Sequence, residues 1–385
     1  TFDSLQGGET LALSGTGSVS TANVGSSKAV SLGSIALAAG SGNPSNYTLN
    51  SATMNITQRV INLDGIRAYD ATTNVLGSDI NTFGNIVSGE TLTISGTGSV
   101  GSNSVAMNKA ITIGSLSLGN GSGLASNYTL TGGTHTFDIS PVSVNVTGSR
   151  QYNGTNVIDS SDLLLTNLLT GETVSLSGQG TVVSADVGAN KTVTSVNLAL
   201  TGANAGNYTL NSYTTSFEIL PKVINLTGTK VYDGLTTVPN ASLTVTTGVS
   251  GQSLDLKGSG SVISAATGNG KTISIGTLEL DSTGSGSDSN YTLLGGAHTF
   301  NVTARPLTFS SSRNYDGTTT ANTSGLTYAF SNLVSGESLV LSGSGTVTAK
   351  DVSGGTQNIT LGTITLADNT GVASNYSLTS GTMNI

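Results

Sequence analysis

One dipeptide, Asn-Tyr, returns along this 385-residue chain at Asn46-Tyr47, Asn127-Tyr128, Asn207-Tyr208, Asn290-Tyr291 and Asn375-Tyr376, with successive tyrosines 81, 80, 83 and 85 residues apart. Self-similarity at a fixed period constrains the fold more than any local propensity, because every period must be one structural unit. A period of this length is domain-sized, too long for a solenoid coil. A second marker, Gly followed by Glu or Gln, stands at Gly8-Glu9, Gly89-Glu90, Gly171-Glu172, Gly251-Gln252 and Gly336-Glu337. A third opens the complete repeats: Tyr69-Asp70-Ala71, Tyr152-Asn153-Gly154, Tyr232-Asp233-Gly234 and Tyr315-Asp316-Gly317. Together they divide the chain into a partial repeat, 1–57, and four repeats at 58–140, 141–221, 222–305 and 306–385.

Within each repeat, stretches such as Thr91-Leu92-Thr93-Ile94 and Ala110-Ile111-Thr112-Ile113 alternate apolar and hydroxyl side chains. That is the period-two signature of strands with one face buried and one in water. Gly, Ser and Asn turns separate them, and no helical period competes. The expected fold class is all-β: a tandem array of small antiparallel β-sandwich or β-grasp-like domains forming an elongated rod. At the joints Ile139-Ser140-Pro141, Leu220-Pro221 and Ala304-Arg305-Pro306 an ending strand runs almost directly into the next opening strand. Proline there fixes φ and holds the preceding residue extended, which predicts a stiff array. At about 3.3 Å per strand residue, the array is expected to reach on the order of 100–150 Å.

Composition excludes several classes of function. With no Cys there is neither a disulfide framework nor a thiolate metal site. A net charge of −8 disfavours nucleic acid and anionic membrane as partners. No run of about 18 apolar residues spans a bilayer. The chain starts inside its own pattern with no leader sequence, as expected of an excerpt from a longer protein.

The Pro-containing opening strand, the Tyr-Asp-Gly turn followed by Thr, the Gly-Glu turn and the closing Asn-Tyr-Thr-Leu resemble the YDG-type repeats of large bacterial adhesins. Asn314-Tyr315-Asp316-Gly317-Thr318 and Val231-Tyr232-Asp233-Gly234 match best, while Ala71 and Asn153 each depart at one position. The resemblance implies the repeat region of a filamentous-haemagglutinin-like protein exported by two-partner secretion. It also implies a place at the cell surface or in a biofilm matrix, with extracellular polysaccharide or neighbouring adhesin chains as partners. The expected function is a structural stalk; the alternatives are a polysaccharide-binding module or a filament subunit associating through exposed strand edges.

A side chain that recurs in every repeat is explained more simply by folding than by one active site. Tyr47, Tyr128, Tyr208, Tyr291 and Tyr376, with Tyr69, Tyr152, Tyr232 and Tyr315, are therefore expected to be core anchors whose hydroxyls find local partners. Only Tyr213 and Tyr328 stand outside that scheme. Asp70, Asn153, Asp233 and Asp316 are expected to bond their own turn backbone, with Gly154, Gly234 and Gly317 supplying positive φ. One carboxylate per turn is too few for calcium. Arg67, Arg150, Lys230 and Arg313 each precede the opening Tyr by two residues, which predicts cation and ring on one face. Lys28, Lys109, Lys191 and Lys271 form a second set, replaced by Gln357 in the last repeat. The recurring Lys, Asn and Glu would also suit a Lys–Asn crosslink beside an acid, but coincidence is the simpler reading. Glu9, Glu90, Glu172 and Glu337 lack a second positioned group for acid–base chemistry, and Gln252 takes the same place once. His135 and His298 have no ligand cluster around them. No catalytic, metal or cofactor site is expected, and the chain reads as non-enzymatic.

Overall fold

The computed structural model describes residues 1–210, 214–352 and 355–385; Tyr213 lies outside them. Among the described residues the chain is all-β, with strands joined by turns and single-turn 3-10 segments and no α-helix. It packs into two compact units. One comprises Thr1–Val146, Leu164–Gly178 and Asn197–Ser212; the other comprises Thr147–Leu163, Gln179–Val196 and Tyr213–Ile385. The division runs through the repeat 141–221 rather than along a joint. Its Glu172 and Asn207-Tyr208 belong with the repeat before it, and its Tyr152 turn belongs with the repeat after it.

In the first unit, repeat 58–140 shows the plan. A six-stranded sheet runs Asn74–Leu76, Thr97–Val100, Ala106–Thr112, Thr136–Ser140, Asn62–Ala68 and Ile80–Gly84 from edge to edge. A separate antiparallel ribbon pairs Leu92–Ser95 with Ser117–Asn120. In the second unit, repeat 222–305 has the same order: Thr237–Pro239, Ser259–Val262, Gly268–Ser274, Thr299–Thr303, Thr227–Val231 and Leu243–Thr244. Strand alternation sets the core. Along Thr136–Ser140, Phe137 and Ile139 are buried between half-buried neighbours, and Ile61, Leu63 and Val75 meet them from other strands. Phe300 and Val302, with Ile224, Leu226 and Val238, are likewise buried in the second unit.

The sheet is mixed. Two adjacent interior strands, the opening and closing strands of one repeat, run parallel: Thr136 pairs with Asp64, Phe137 with Gly65 and Asp138 with Ile66. A parallel pair needs a long crossover, and the rest of the repeat supplies it. Period-two alternation reads the same for either direction, so the expectation of antiparallel pairing alone did not reach this feature.

A glycine faces each central phenylalanine. Gly65 pairs with Phe137, Gly148 with Phe217 and Gly228 with Phe300. A Cβ on Gly65 would stand 2.6 Å from the Asp79 carbonyl oxygen and 2.9 Å from the Phe137 ring. In the last repeat the ring comes from the other strand: Phe309, on the opening strand, pairs with Gly381 on the closing strand.

Candidate functional site: the joint between repeats

The opening turn is built by three of the recurrent residues. The Asp70 carboxylate accepts from the backbone N–H of Thr72 at 2.9 Å, and Asn153, Asp233 and Asp316 accept likewise from Thr155, Leu235 and Thr318. These bonds hold the Asp316 carboxyl below its usual range, the Thr318 N–H being the main cause. Gly154, Gly234 and Gly317 have φ of 82°, 78° and 76°; Ala71 is forced to 65° at the same place. An L-residue there costs about 1–2 kcal/mol, partly offset because Gly loses more entropy on folding. Ala71→Gly is therefore expected to stabilise by about 0.5–1 kcal/mol, read as a higher thermal midpoint. A lower midpoint would contradict the assignment of strain.

The cation two residues before the Tyr secures this turn, rather than pairing with the ring. Lys230 Nζ lies 2.9 Å from the Asp233 carboxylate and donates to the carbonyls of Leu235 and Thr237 at 2.8 and 2.7 Å. Arg67 and Arg313 do the same with Asp70 and Asp316, each at 2.9 Å, and with the carbonyls of Thr72 and Asn74 or Thr318 and Thr320. Where Asn153 removes the charge, Arg150 donates to the Thr155 carbonyl at 2.6 Å and reaches Asp162 only at 3.9 Å. Burial accordingly lowers the Arg150 guanidinium pKa.

The second cationic set closes a different loop. Lys28 bonds Thr21 Oγ1 and the Asn23 carbonyl, Lys109 bonds Ser102, and Lys191 bonds the Ser184 carbonyl. Gln357 does this with an amide, accepting from Ala349 N–H and donating to Ala349 O. These amines are engaged with Ser, Thr and backbone oxygens, while the glutamates are engaged with tyrosines.

The glutamates and tyrosines meet between repeats. In the first unit Tyr69 donates to Glu172 Oε1 at 2.6 Å, and its ring packs edge-on to Tyr208 with centroids 5.8 Å apart. In the second unit Tyr232 and Tyr376 donate to the two oxygens of Glu337, each at 2.5 Å, with rings 5.4 Å apart. Gln252 accepts from Tyr291 at 2.5 Å and donates to Tyr152 at 2.6 Å, reversing one bond of the same arrangement. The Asn of each Asn-Tyr completes the joint by accepting a backbone N–H from the preceding repeat. Val24 donates to Asn127, Val105 to Asn207, Val187 to Asn290 and Thr267 to Asn375, at 2.8–3.0 Å. Gly154 and Gly234 approach Val249 and Val334 of the following repeat so closely that an added Cβ would lie 2.6 and 3.0 Å away.

The Asn-Tyr hydroxyls thus have the local partners expected of them, as in Tyr128 to Glu90 at 2.5 Å and Tyr47 to Glu9. The opening tyrosines Tyr69, Tyr152 and Tyr232 instead find partners in the next repeat. Tyr315 is 56% exposed and has no such cover. Tyr328, outside the recurrent set, accepts from Leu341 N–H and packs edge-on to Phe330.

Each histidine is part of the fold. His135 Nδ1 accepts from Leu63 N–H at 3.1 Å while Nε2 lies 2.8 Å from the Leu130 carbonyl, and His298 repeats this with Leu226 and Leu293. Asp281 pairs with Lys257 at 2.8 Å. Among the described residues no group of three or more His, Cys, Asp or Glu is placed to hold a metal ion.

Comparison with known families matches the description "YDG domain" to residues 57–136, 139–216, 220–300 and 301–383. The chain belongs to the YDG domain family. No curated protein matches it significantly. The YDG turn that gives the family its label is, in this chain, one half of a joint; the Gly-Glu and Asn-Tyr of the next YDG repeat are the other half.

Proton affinity at these joints sets a pH limit. Burial, reinforced by Glu172, pushes the Tyr69 phenol up to about 12, and burial with Glu337 does the same for Tyr376. Tyr128, Tyr232 and Tyr291 are raised for the same leading reason. A phenol whose folded pKa exceeds its ordinary 10.0 contributes stability that is complete below pH 10 and lost as pH climbs towards 12. The denaturant midpoint should therefore fall steeply over that interval, with tyrosinate absorbance rising in step. A midpoint flat across it would contradict the joint as described.

Proposed function

We propose that these YDG repeats form part of the stalk of a bacterial surface adhesin, a non-catalytic spacer that carries a binding region away from the cell or joins cells within a matrix. The observation that carries this reading is the construction of the joints. Each of the three clusters places buried rings across two repeats, with Glu337 and Gln252 bonding both rings of their pair and Glu172 bonding Tyr69. A spacer has to resist swivelling between its modules, and buried hydrogen-bonded polar groups are costly to pull apart.

Export by two-partner secretion and an extracellular location belong to the same proposal. They are supported by the absence of Cys, by a polar surface rich in Ser and Thr, and by the likeness to filamentous-haemagglutinin-like repeats. The test is scattering from chains of two, three, four and five repeats. The maximum dimension should grow by a constant increment per repeat, and a dimension that stops growing would sink the spacer reading. On the producing bacterium, antibody to the repeats should label intact cells or their matrix. Saturable binding of the isolated repeats on a glycan array would favour the polysaccharide-binding alternative instead.

A further inference from the structure

Three of the four opening turns set a carboxylate against the cation that precedes them, and the turn at Asn153 does not. At Asp316, Oδ1 accepts from the Thr318 N–H and hydroxyl, both at 3.0 Å, while Oδ2 faces Arg313 Nη1 at 2.9 Å. Asn153 Oδ1 accepts from the Thr155 N–H and hydroxyl at the same 3.0 Å. An asparagine held by Oδ1 in this way presents an amide nitrogen, a donor, where the aspartate presents its second oxygen. The effect on the guanidinium falls on one atom. Arg150 Nη2 keeps its bond to the Thr155 carbonyl, as Arg313 Nη2 does to that of Thr318, but Arg150 Nη1 is buried without a hydrogen-bond partner. Nε is unpaired in Arg67 and Arg313 as well, so the difference lies at Nη1. Asp162 stands 3.9 Å from Arg150 Nε, too far for a hydrogen bond. An acid at position 153 is the group that this turn lacks.

Asn153 is also followed by Gly154, and both are exposed. We propose that Asn153-Gly154 is a self-modification site, at which the chain converts Asn153 to aspartate and so completes the ion pair with Arg150. The Gly154 backbone nitrogen, which no Cβ shields, gives up its proton and bonds to Asn153 Cγ. Ammonia leaves, carrying that proton, and a cyclic succinimide remains. Water then adds at Cγ, the Cγ–N bond breaks, the nitrogen regains a proton and Cγ keeps the new hydroxyl as a carboxyl group. Opening at the other ring carbonyl would give isoaspartate instead, with the chain rerouted through Cγ. Arg150 directs the choice. Its counterparts Arg67, Lys230 and Arg313 all meet the carboxylate borne by Cγ, and a cation in that place polarises the Cγ carbonyl and pairs with the acid as it forms. The two oxygens then serve as they do at Asp316, one for the Thr155 N–H and one for Arg150 Nη1. This modification goes beyond the stalk reading and stands whether or not that reading holds.

Peptide mapping by mass spectrometry of the folded 385-residue chain, stored for weeks in mildly alkaline buffer, reads the conversion as an amide replaced by an acid at position 153. Enzymatic methylation of isoaspartate separates the two products. Aspartate should be the main one; a site that stays asparagine, or that gives mainly isoaspartate, would overturn the proposal. The gain to the fold is read separately, in variants that carry the acid from the start. Asn153→Asp should raise the thermal midpoint by about 2–4 °C. Asn120→Asp, at another Asn-Gly pair in a stretch with no Lys or Arg between residues 110 and 149, should not. A midpoint unchanged by Asn153→Asp, or raised equally by Asn120→Asp, would remove Arg150 from the account and overturn the completed ion pair.

Discussion

Glu337→Ala should destabilise the two repeats it joins by about 2–5 kcal/mol, because it leaves two buried phenol hydroxyls without an acceptor at about 1–3 kcal/mol each. The hydroxyls are those of Tyr232 and Tyr376, each bonded to its own carboxylate oxygen. Glu337→Gln is expected to cost about 1 kcal/mol, the net worth of an ordinary hydrogen bond. The amide at Gln252 already shows how one group serves both rings, accepting from Tyr291 and donating to Tyr152. Guanidinium unfolding followed by tyrosine fluorescence measures both variants. Because repeat arrays need not unfold in one step, the quantity to compare is the shift of the transition that releases residues 222–385. If Gln proves as damaging as Ala, the hydrogen bonds are not what holds the joint.

Phe300→Ala should cost about 3–5 kcal/mol, the range for deleting a buried aromatic ring where the walls cannot collapse. Here collapse is limited: Phe300 is fully buried and faces Gly228 on the adjoining parallel strand, which has no side chain to move into the space. Filling the gap from the glycine side is obstructed, because a Cβ on Gly228 falls against the Ser242 carbonyl. Equilibrium denaturation of the variant gives the number, and a loss below about 1 kcal/mol would show that the central strands tolerate repacking.

The repetition made the division into repeats legible, and the same repetition identified the tyrosines, turn acids and cations as scaffold. Direction and partnership were not legible. Alternation along Thr136–Ser140 gives the buried face but not whether its neighbour runs parallel. The partner of Tyr69 is 103 residues away in the next repeat, and nothing near Tyr69 distinguishes a ring that packs inside its own repeat from one that packs across a joint. A signal did exist: Gly-Glu and Asn-Tyr always travel together, 38 residues apart in Glu9 and Tyr47 and again in Glu90 and Tyr128. An acid, or once an amide, kept within a few residues of one spacing from a phenol is what a recurring hydrogen-bonded pair requires. Alternation puts the cation beside the ring only if the strand continues past Ala68, where it ends and the chain turns. His135 and His298 looked isolated because their partners are backbone groups, which carry no residue identity.

The halves of the joint are distributed so that repeats 58–140, 141–221 and 222–305 each present an opening-Tyr turn to the repeat that follows, which meets it with a Glu, or once a Gln, and with Asn-Tyr. Deleting or duplicating one whole repeat therefore brings together two faces that already fit. Gain or loss of one whole repeat can thus lengthen or shorten the product in single steps without creating an unmatched junction. A change inside a face has the opposite consequence: replacing one glutamate alters two repeats at once, so variation should accumulate in the ribbons and loops and be slow at the joints.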